Sequence, residues 1–303
     1  MKTEEFFWFK HFKTKGIGPK KLLNLAKTLP SQKEESFYLQ DEEVERIYQE
    51  FKKLKENQIQ IIHPGHRDYP PEFIKYAEQF SISPVLFAKG RTSLLCAPSV
   101  AIVGSRNASE KGLYAARKIA AALANHGLNV ISGYAKGIDS AAHIGALEAN
   151  GTTTIVLSHG ILGLTIKRDF KKFNWKHDIL AISQFHPEEK WTARNAMIRN
   201  KLICALSQVV IVIESGPRIN LEGKMSGTFD TGITAIKMKK PLFVITPKFF
   251  GKQVDGNKIL IQKGGLEFDP ANDSDINKIV DKVNKVMKHD NNTNHQLSLF
   301  DST

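Results

Sequence analysis

The stretch SVAIVGSRNASEKGLYAARKIAAALANHGLNVIS, residues 99–132, decides the fold of this chain. It begins and ends with continuous apolar runs, at 99–104 and 128–132, and such runs are typical of strands buried on both faces of a parallel sheet. Between them, apolar residues recur at helical spacing up to Gly127, which suits the C-cap of a helix. The stretch therefore predicts a strand, a helix and a second, parallel strand.

The same alternation continues toward the C-terminus. Four more β-rich runs follow, separated by helical patterns: TTTIVLS (152–158), DILAIS (178–183), QVVIVIES (208–215) and PLFVIT (241–246). Repeated strand–helix–strand units place helices on both faces of a sheet. We predict an α/β fold with a Rossmann-like, doubly wound, mostly parallel sheet.

Three regions are predicted along the chain. Residues 1–58 form a small helical N-terminal domain, residues 59–288 an extended Rossmann-like domain, and residues 289–303 a flexible tail. In the first region GIGPKK (16–21) is typical of a turn before a helix that starts at Pro19. This turn is either a phosphate clamp of the helix-hairpin-helix (SAM-like) kind or a simple connection between two helices, and both interpretations stay open.

The composition favours a polyanion as partner. The net charge is +12 and the isoelectric point is near 9.5, while 41% of the residues are hydrophobic, which excludes wholesale disorder. The two cysteines, Cys96 and Cys204, provide neither a disulfide framework nor a CxxC metal site. No run approaches the roughly 18 apolar residues of a membrane span, and the start lacks the apolar core of a signal peptide. We expect a cytoplasmic protein with no metal and no membrane partner.

Candidate ligand residues follow the predicted strands, at the sheet edge where parallel strands end and helices begin. At that edge helix N-termini present unpaired backbone amides to anions. Glycine, polar and basic residues occur in four such loops and the helix starts that follow them: Gly104, Ser105, Arg106, Gly133, Lys136, Gly137, Arg194, Arg199, Asn200, Lys201, Ser226, Gly227 and Thr228. We predict that these loops converge on one rim and bind phosphate groups there.

Nucleotide-binding motifs are missing from these loops. The sequence contains neither GxGxxG nor GxxxxGK[ST], so neither a dinucleotide fingerprint nor phosphoryl transfer from ATP is expected. Some polar residues also have structural interpretations: Asp139 suits a helix cap and His143 suits a core position. Arg199 at a helix face has a simple partner in Glu214.

Five segments taken together resemble, in order and spacing, the DNA-processing protein A family, also called Smf. They are VAIVGSR (100–106), VISGYAKGIDSAAHIGAL (130–147), RNKLICALSQVVIVIES (199–215), SGTFDTGITA (226–235) and GNKILIQKGG (256–265). Upstream, GIGPKKLLNL (16–25), HRDYPPEF (66–73) and SPVLFAKG (83–90) are also similar to that family. The resemblance therefore runs from about residue 15 to residue 265.

The resemblance implies a cytoplasmic, non-enzymatic protein that binds and protects single-stranded DNA. It also implies help in loading a RecA-type recombinase during DNA uptake (natural transformation), recombination or repair. A homodimer formed through the Rossmann-like domain is implied, and no cofactor. The pocket that it implies consists of Ser105, Arg106, Lys136, Arg199, Asn200 and Lys201.

A second function stays open beside this one. The same fold superfamily includes nucleoside-monophosphate phosphoribohydrolases, but SGTFDTG lacks their catalytic glutamate, so an enzyme is not expected. The chain also departs from the family pattern: Gln184 replaces the usual glutamate, and an insertion occupies 215–224. The alternative function is a sensor of a nucleotide-derived ligand that binds at the same rim, for example in phage defence.

Several aromatic residues lie near a lysine-rich segment at 167–176. Phe173, Trp175, Phe185 and Trp191 either stack on the bases of a bound strand or belong to the core. Both interpretations are consistent with the sequence.

The motif QLSLF follows a polar segment near the end of the sequence. Its residues are Gln296, Leu297, Ser298, Leu299 and Phe300. They resemble the pentapeptide by which bacterial polymerases and repair proteins bind the replication sliding clamp. The alternative is that the apolar side chains fold back on the domain. We predict a clamp partner, reached through a tether at 289–295.

Overall fold

The computed structural model describes residues 3–28, 41–219, 223, 225–251 and 254–300. Its strands are β1 Gln60–Ile62, β2 Leu86–Gly90, β3 Ser99–Val103, β4 Asn129–Ser132, β5 Thr153–Val156, β6 Ile179–Ser183, β7 Val209–Val212, β8 Leu242–Ile245 and β9 Leu266–Phe268. Its α-helices are α1 Glu4–Lys13, α2 Pro19–Thr28, α3 Asp41–Glu56, α4 Phe73–Phe80, α5 Glu110–Asn125, α6 Ile138–Glu148, α7 Ala193–Leu206, α8 Gly227–Lys237, α9 Pro247–Phe250, α10 Asp255–Gln262 and α11 Asp273–Phe300. All six β-rich runs predicted from the sequence are strands.

The strands form one sheet in the order β1-β2-β6-β5-β4-β3-β7-β8-β9. From β6 to β9 across the sheet all neighbours are parallel, whereas β1 and β2 are antiparallel additions at one side. The chain proceeds from β3 through β4 and β5 to β6, and α7 then carries it back to β7 on the other side of β3. This order confirms the doubly wound sheet and places its switch point between β3 and β7.

Two apolar layers cover the sheet. The side chains of Val100 and Ile102 on β3 pack against α5, α6 and α11, whereas Ala101 and Val103 pack against the layer that contains α7, α8 and α10. Successive residues of a strand point to opposite faces, so both sets must be apolar when both faces are covered. This explains why the β-rich runs are continuous rather than alternating.

The N-terminal helices pack directly on the sheet. Helix α3 ends close to the domain boundary predicted at residue 58, and α2 begins at Pro19 as predicted. Their core is nevertheless continuous with the sheet, since the rings of Phe9 and Phe12 meet Phe87 of β2 edge-on at 6.0 and 5.0 Å. Most of this core lies on the same side of the sheet as α5 and α6, whereas Leu23 of α2 packs in the layer on the other side.

The last helix differs from the sequence prediction. Helix α11 runs to Phe300, so the backbone from residue 289 to residue 300 is helical where a flexible tail was expected. Residues 301–303 lie outside the described residues, as do the side chains of 289–300, and with them those of the QLSLF motif. Of the insertion at 215–224, the structure describes 215–219 and 223, and Ile219 pairs with Met225 in a single antiparallel bridge.

Within the described ranges, none of the helices combines the length and the apolar character that crossing a membrane requires.

Candidate nucleic-acid interface

The carboxyl ends of the parallel strands form a rim, which we define as the loops after β3, β4, β6 and β7. The loops after β3 and β7 are joined at the switch point, because the amide of Ser105 donates to the carbonyl of Glu214 at 2.8 Å. The β4 loop is joined as well: the amide of Ile138 donates to the carbonyl of Ser105 at 3.3 Å. A Cβ at Gly137 would overlap the same carbonyl, so this close approach requires glycine. These contacts bring the loops after β3, β4 and β7 together at one edge, as expected for three of the four loops.

The turn after β3 presents one arginine to solvent. The hydroxyl of Ser105 accepts a hydrogen bond from the amide of Asn107 at 3.1 Å, which shapes the turn. Behind it, the carboxylate of Glu214 accepts from the amide and the hydroxyl of Ser109, at 2.8 and 2.7 Å, at the start of α5. Glu214 thus stabilises a helix N-terminus. Arg106 remains exposed on the rim.

Arg106 is stacked on an aromatic ring from another loop. Its guanidinium carbon lies 5.7 Å from the centre of the Trp191 ring, and Trp191 is 52% exposed. A guanidinium at this distance from an indole face is attracted by the ring quadrupole. The pair brings a cation and an exposed aromatic surface together at the mouth of the rim. The sequence identified both residues but not their contact, because they are separated by 85 positions, from 106 to 191.

The turn after β4 contains an exposed lysine and contacts a half-buried lysine from another segment. Lys136 is exposed, as the anion-binding prediction requires. Lys167 instead inserts beneath this turn, where its ammonium donates to the carbonyl of Tyr134 at 2.6 Å and to the hydroxyl of Ser140 at 2.9 Å. Burial lowers the pKa of Lys167. This lysine of the basic segment therefore stabilises the turn, and Tyr134 in turn adopts a left-handed φ of 61°.

Arg199 lies beneath the rim rather than on its surface. Its side chain is 5% exposed, its Nη1 donates to the carbonyl of Val156 at 3.3 Å, and its ion-pair partner is Asp139 at 3.9 Å. A Cβ at Gly133 would overlap the guanidinium, so Gly133 leaves the space that this side chain occupies. Burial lowers the pKa of Arg199, and the Asp139 carboxylate opposes that shift. The partner suggested by the sequence, Glu214, is thus replaced by Asp139.

The helices α7 and α8 begin at the rim with hydroxyl caps. Thr192 accepts from the amide of Asn195 at 3.0 Å, and Ser226 accepts from the amide of Phe229 at 3.2 Å. Arg194 in the first turn of α7 is exposed. The two helices are joined because the side-chain amide of Asn200 donates to the carbonyl of Gly227 at 3.1 Å.

The remaining candidate residues of these helices differ in exposure and in their hydrogen bonds. Thr228 follows Gly227 in α8 and is partly exposed. The hydroxyl of Ser226 forms the N-cap of α8, and the N-terminus of this helix lies at the rim. Asn200 is 7% exposed and acts within the fold.

Lys201 does not join the rim. Its ammonium donates to the carbonyl of Phe80 at the end of α4, at 3.2 Å. The prediction that it faces the same way as Arg106 and Lys136 is wrong, because neighbouring residues of a helix point in different directions.

The aromatic candidate residues also differ in whether they pack in the core or are exposed. Trp175 donates its indole N–H to the carbonyl of Phe170 at 3.2 Å and packs with Phe173 against the core, so the core interpretation is confirmed for these two. Trp191 is exposed beside Arg106.

His143 has the core environment that the sequence suggested, whereas Asp139 does not cap α6, whose N-cap is Gly137 without a side-chain hydrogen bond. His143 is fully buried and shares a 2.6 Å hydrogen bond between its Nδ1 and the hydroxyl of Thr153. Burial, with Lys167 and Arg199 nearby, lowers its pKa to about 3, so the imidazole is neutral. Asp139, at 6% exposure, accepts from the amide of Ala135 at 3.3 Å and lies in the first turn of α6. Among the described residues no cluster of three or more potential ligands suits a metal ion.

The family model of DNA recombination-mediator protein A matches residues 60–279. The DNA processing protein DprA of Streptococcus pneumoniae is 33% identical over 189 residues, which cover 62% of this chain and 64% of that protein. Protein Smf of Synechocystis is 30% identical over 240 residues, which cover 71% of this chain and 60% of that protein. The chain thus spans about three-fifths of the length of these curated relatives.

Solved structures agree with this relationship. The crystal structure of DprA from S. pneumoniae superimposes with a TM-score of 0.69 at 26% identity and covers 88% of this chain and 95% of that one. The structure of DprA from Helicobacter pylori, a protein with a single-stranded DNA binding mode, has a TM-score of 0.57 at 25% identity and covers 74% of this chain and 96% of that one. Because the family model spans most of the sheet and its rim, the chain belongs to the DNA recombination-mediator protein A family.

Proposed function

We propose that this chain binds single-stranded DNA along the rim and acts in DNA processing without catalysing a reaction. The observation that carries the proposal is the stacked pair of Arg106 and Trp191, with Lys136 exposed on the β4 loop and Arg194 exposed in the first turn of α7. Guanidinium and ammonium groups attract backbone phosphates, and an exposed indole provides a surface on which a base stacks. The single-stranded DNA binding mode of the H. pylori relative supports the same ligand.

The amides at the starts of α7 and α8 complete the proposed site. Helix N-termini attract anions through their unpaired N–H groups and the helix dipole. In this proposal phosphates lie over Lys136 and the two helix starts, while a base contacts Trp191. Arg199 and Asn200 act beneath the surface, where Arg199 binds β5 and Asp139 of α6 and Asn200 binds the start of α8. Recognition is therefore mainly of the backbone, with little dependence on sequence.

Titration with a labelled oligonucleotide of about 8 nucleotides tests the proposal. We expect the logarithm of affinity to fall with the logarithm of salt concentration, by roughly 0.7 for each phosphate neutralised. Arg106→Ala should weaken binding about tenfold for all sequences, since it removes both a cation and the partner of Trp191. The matched control is Arg67→Ala, because Arg67 is an exposed arginine outside the rim. Equal affinity of both variants contradicts the proposal, and tighter binding of mononucleotides than of the oligonucleotide favours the ligand-sensor alternative.

The proposal extends to two protein partners, a second copy of the chain and a RecA-type recombinase. A homodimer places two rims on one strand, which raises the effective concentration of each for the DNA. A strand held by its backbone leaves bases accessible to a recombinase. Light scattering tests whether the protein is a dimer. The rate of recombinase filament growth on strands already bound by this protein tests recombinase loading. A monomer at all concentrations, or slower growth, contradicts these two extensions respectively.

A third extension concerns the replication sliding clamp. QLSLF lies at the end of α11, and helix ends fray, so the motif can unwind from the helix to enter an apolar pocket. Pull-down with the clamp of the same cell, using the full chain and a chain that lacks residues 295–303, tests this extension. Loss of clamp binding with DNA affinity retained is the expected result. Equal clamp binding by both chains, or none by either, contradicts it.

A further inference from the structure

A lysine-lined groove lies at the opposite edge of the sheet from the rim. It has a volume of about 610 Å³ and is formed by α4, by the turn between α8 and β8, and by α11. The turn precedes β8, and parallel strands begin at the edge opposite their carboxyl ends, so the groove and the rim are on opposite edges. We call it the lysine groove. Its lysines are Lys75, Lys237, Lys239, Lys240, Lys282 and Lys285.

The lysine groove carries a high density of positive charge. Among the described residues that line it there is no aspartate or glutamate. Lys282 and Lys285 are exposed and stand three positions apart on α11, a spacing at which like charges repel each other. Within the described part of the chain neither of these two lysines forms an ion pair with a carboxylate. Such a concave cluster concentrates anions from solution.

The groove is also held in shape by an aromatic residue. Tyr76 of α4 lies between two of the lysines, with the ammonium of Lys240 4.3 Å and that of Lys75 5.2 Å from its ring centre. Lys75 also pairs with Glu72 on the same helix. These contacts restrict the flexible lysine side chains before any ligand arrives, which lowers the entropy cost of binding.

We infer that the lysine groove is a second binding site for the phosphate backbone of a nucleic-acid strand. The inference rests on the proposed function, since it extends the path of the strand that the rim holds. Helix α8 connects the two places: it begins at the rim with Gly227 and ends in the groove with Lys237. Its length is about 16 Å for 11 residues, which a strand only a few nucleotides longer than the rim can cover. A single strand thus reaches both sites, whereas a separate acidic peptide gains nothing from the rim.

Strands of two lengths test this inference. The variant Lys282→Gln/Lys285→Gln removes two groove charges from exposed positions, and the control Lys258→Gln/Lys263→Gln removes two exposed charges on and just after α10. With a strand of about 30 nucleotides, the groove variant should lose roughly 1.4 from the slope of log affinity against log salt, the amount expected for two phosphate contacts. At low salt its affinity should fall at least about tenfold. With a strand of about 8 nucleotides it should match the unmodified protein, because that strand fills only the rim.

Three results would overturn the inference. The groove variant could keep the same slope of log affinity against log salt for the long strand, the control variant could lose as much affinity as the groove variant, or the groove variant could lose as much affinity for the short strand as for the long one. Binding of polyglutamate that depends on Lys282 and Lys285 as strongly as the long strand does assigns the groove to an acidic protein partner instead. Failure of the proposed function is distinguishable: the unmodified protein then does not bind the short strand at all, and Arg106→Ala leaves long-strand affinity unchanged.

Discussion

The two edges of the parallel sheet use positive charge differently. At the carboxyl edge, Arg199 and Lys167 are held by internal partners beneath the rim, and Arg106 is stacked on a tryptophan. At the amino edge, Lys282 and Lys285 line an open groove and are exposed. The number of basic residues is therefore a poor guide to binding, because burial decides which cations stabilise the fold and which meet a ligand.

The difference follows from how closely the loops pack at each edge. At the carboxyl edge four loops approach one another closely, and close approach buries carbonyl groups that need donors. Two cations beneath the rim supply them: the half-buried Lys167 donates to the carbonyl of Tyr134, and the buried Arg199 donates to that of Val156. The turn from α8 to β8 lies at the surface, where Lys239 is exposed and Lys240 is half-buried against Tyr76. We expect substitutions of the buried residues beneath the rim to change stability, and substitutions of the exposed groove lysines to change salt-dependent binding.

The largest effect is expected for Gly133→Ala, which disrupts the carboxyl edge from within. The new methyl group would overlap the guanidinium of Arg199, so either the β4 loop or the arginine must move. We expect a loss of about 3 kcal/mol or more in the free energy of unfolding, measured by urea denaturation. Gly216→Ala is the control, since a Cβ there meets nothing within 4 Å, and its effect should stay within about 0.5 kcal/mol. Similar stability of the two variants would show that Arg199 occupies a different place.

The second prediction compares the stability of variants at two arginines of α7. Arg199→Met should lower the free energy of unfolding by about 2 to 4 kcal/mol, because Asp139 is left buried without its cation and the carbonyl of Val156 loses a donor. Arg194→Met, at an exposed position of α7, should change stability by less than about 0.5 kcal/mol. A stable Arg199→Met protein with weakened DNA binding would instead assign Arg199 to the ligand.

The pH dependence of the free energy of unfolding tests the environment of His143 inside the carboxyl edge. Burial, together with Lys167 and Arg199, lowers the pKa of His143 from 6.5 to about 3. The unfolded chain therefore takes up this proton first as the pH falls. The stabilisation is complete above pH 6.5 or so and is lost progressively between about 6.5 and 3. We expect this residue to account for a loss of about 2 kcal/mol between pH 7 and pH 5.

The comparison variant for this prediction is His143→Gln. Glutamine does not titrate, and its amide can still bond to the hydroxyl of Thr153, the partner of the imidazole Nδ1. Free energies of unfolding from urea titrations at pH 5, 6 and 7 should fall less steeply in the variant. Parallel curves for the two proteins would contradict the predicted neutral imidazole.

The smallest effect is expected at the mouth of the rim. Trp191→Ala removes an exposed ring and should weaken binding of single-stranded DNA by about 1 kcal/mol, roughly fivefold, without a change in stability. Tyr114→Ala is the control, because Tyr114 is a 65% exposed aromatic residue on α5, away from the rim loops. Fluorescence anisotropy of a labelled oligonucleotide measures both. Equal affinity of the two variants would leave Arg106 as a cation without a stacking surface.

The sequence by itself determined the architecture and the edge of the sheet at which the candidate residues meet. Continuous apolar runs such as VAIVG, with Gly127 ending the helix that follows, require a parallel sheet covered on both faces. Parallel strands in turn require that the loops at Ser105, Lys136 and Ser226 meet at one edge. These features are local patterns repeated along the chain, and local patterns are readable without coordinates.

Only the tertiary structure decided which of the candidate residues face solvent. Arg199, Lys201 and Lys136 have the same charge, yet one is buried under Gly133, one bonds to α4 and one is exposed. The contact of Arg106 with Trp191 and the lysine groove likewise join segments that are far apart in the chain. The physical reason is that a side chain's hydration and partners depend on the packing of distant elements, which no local pattern contains.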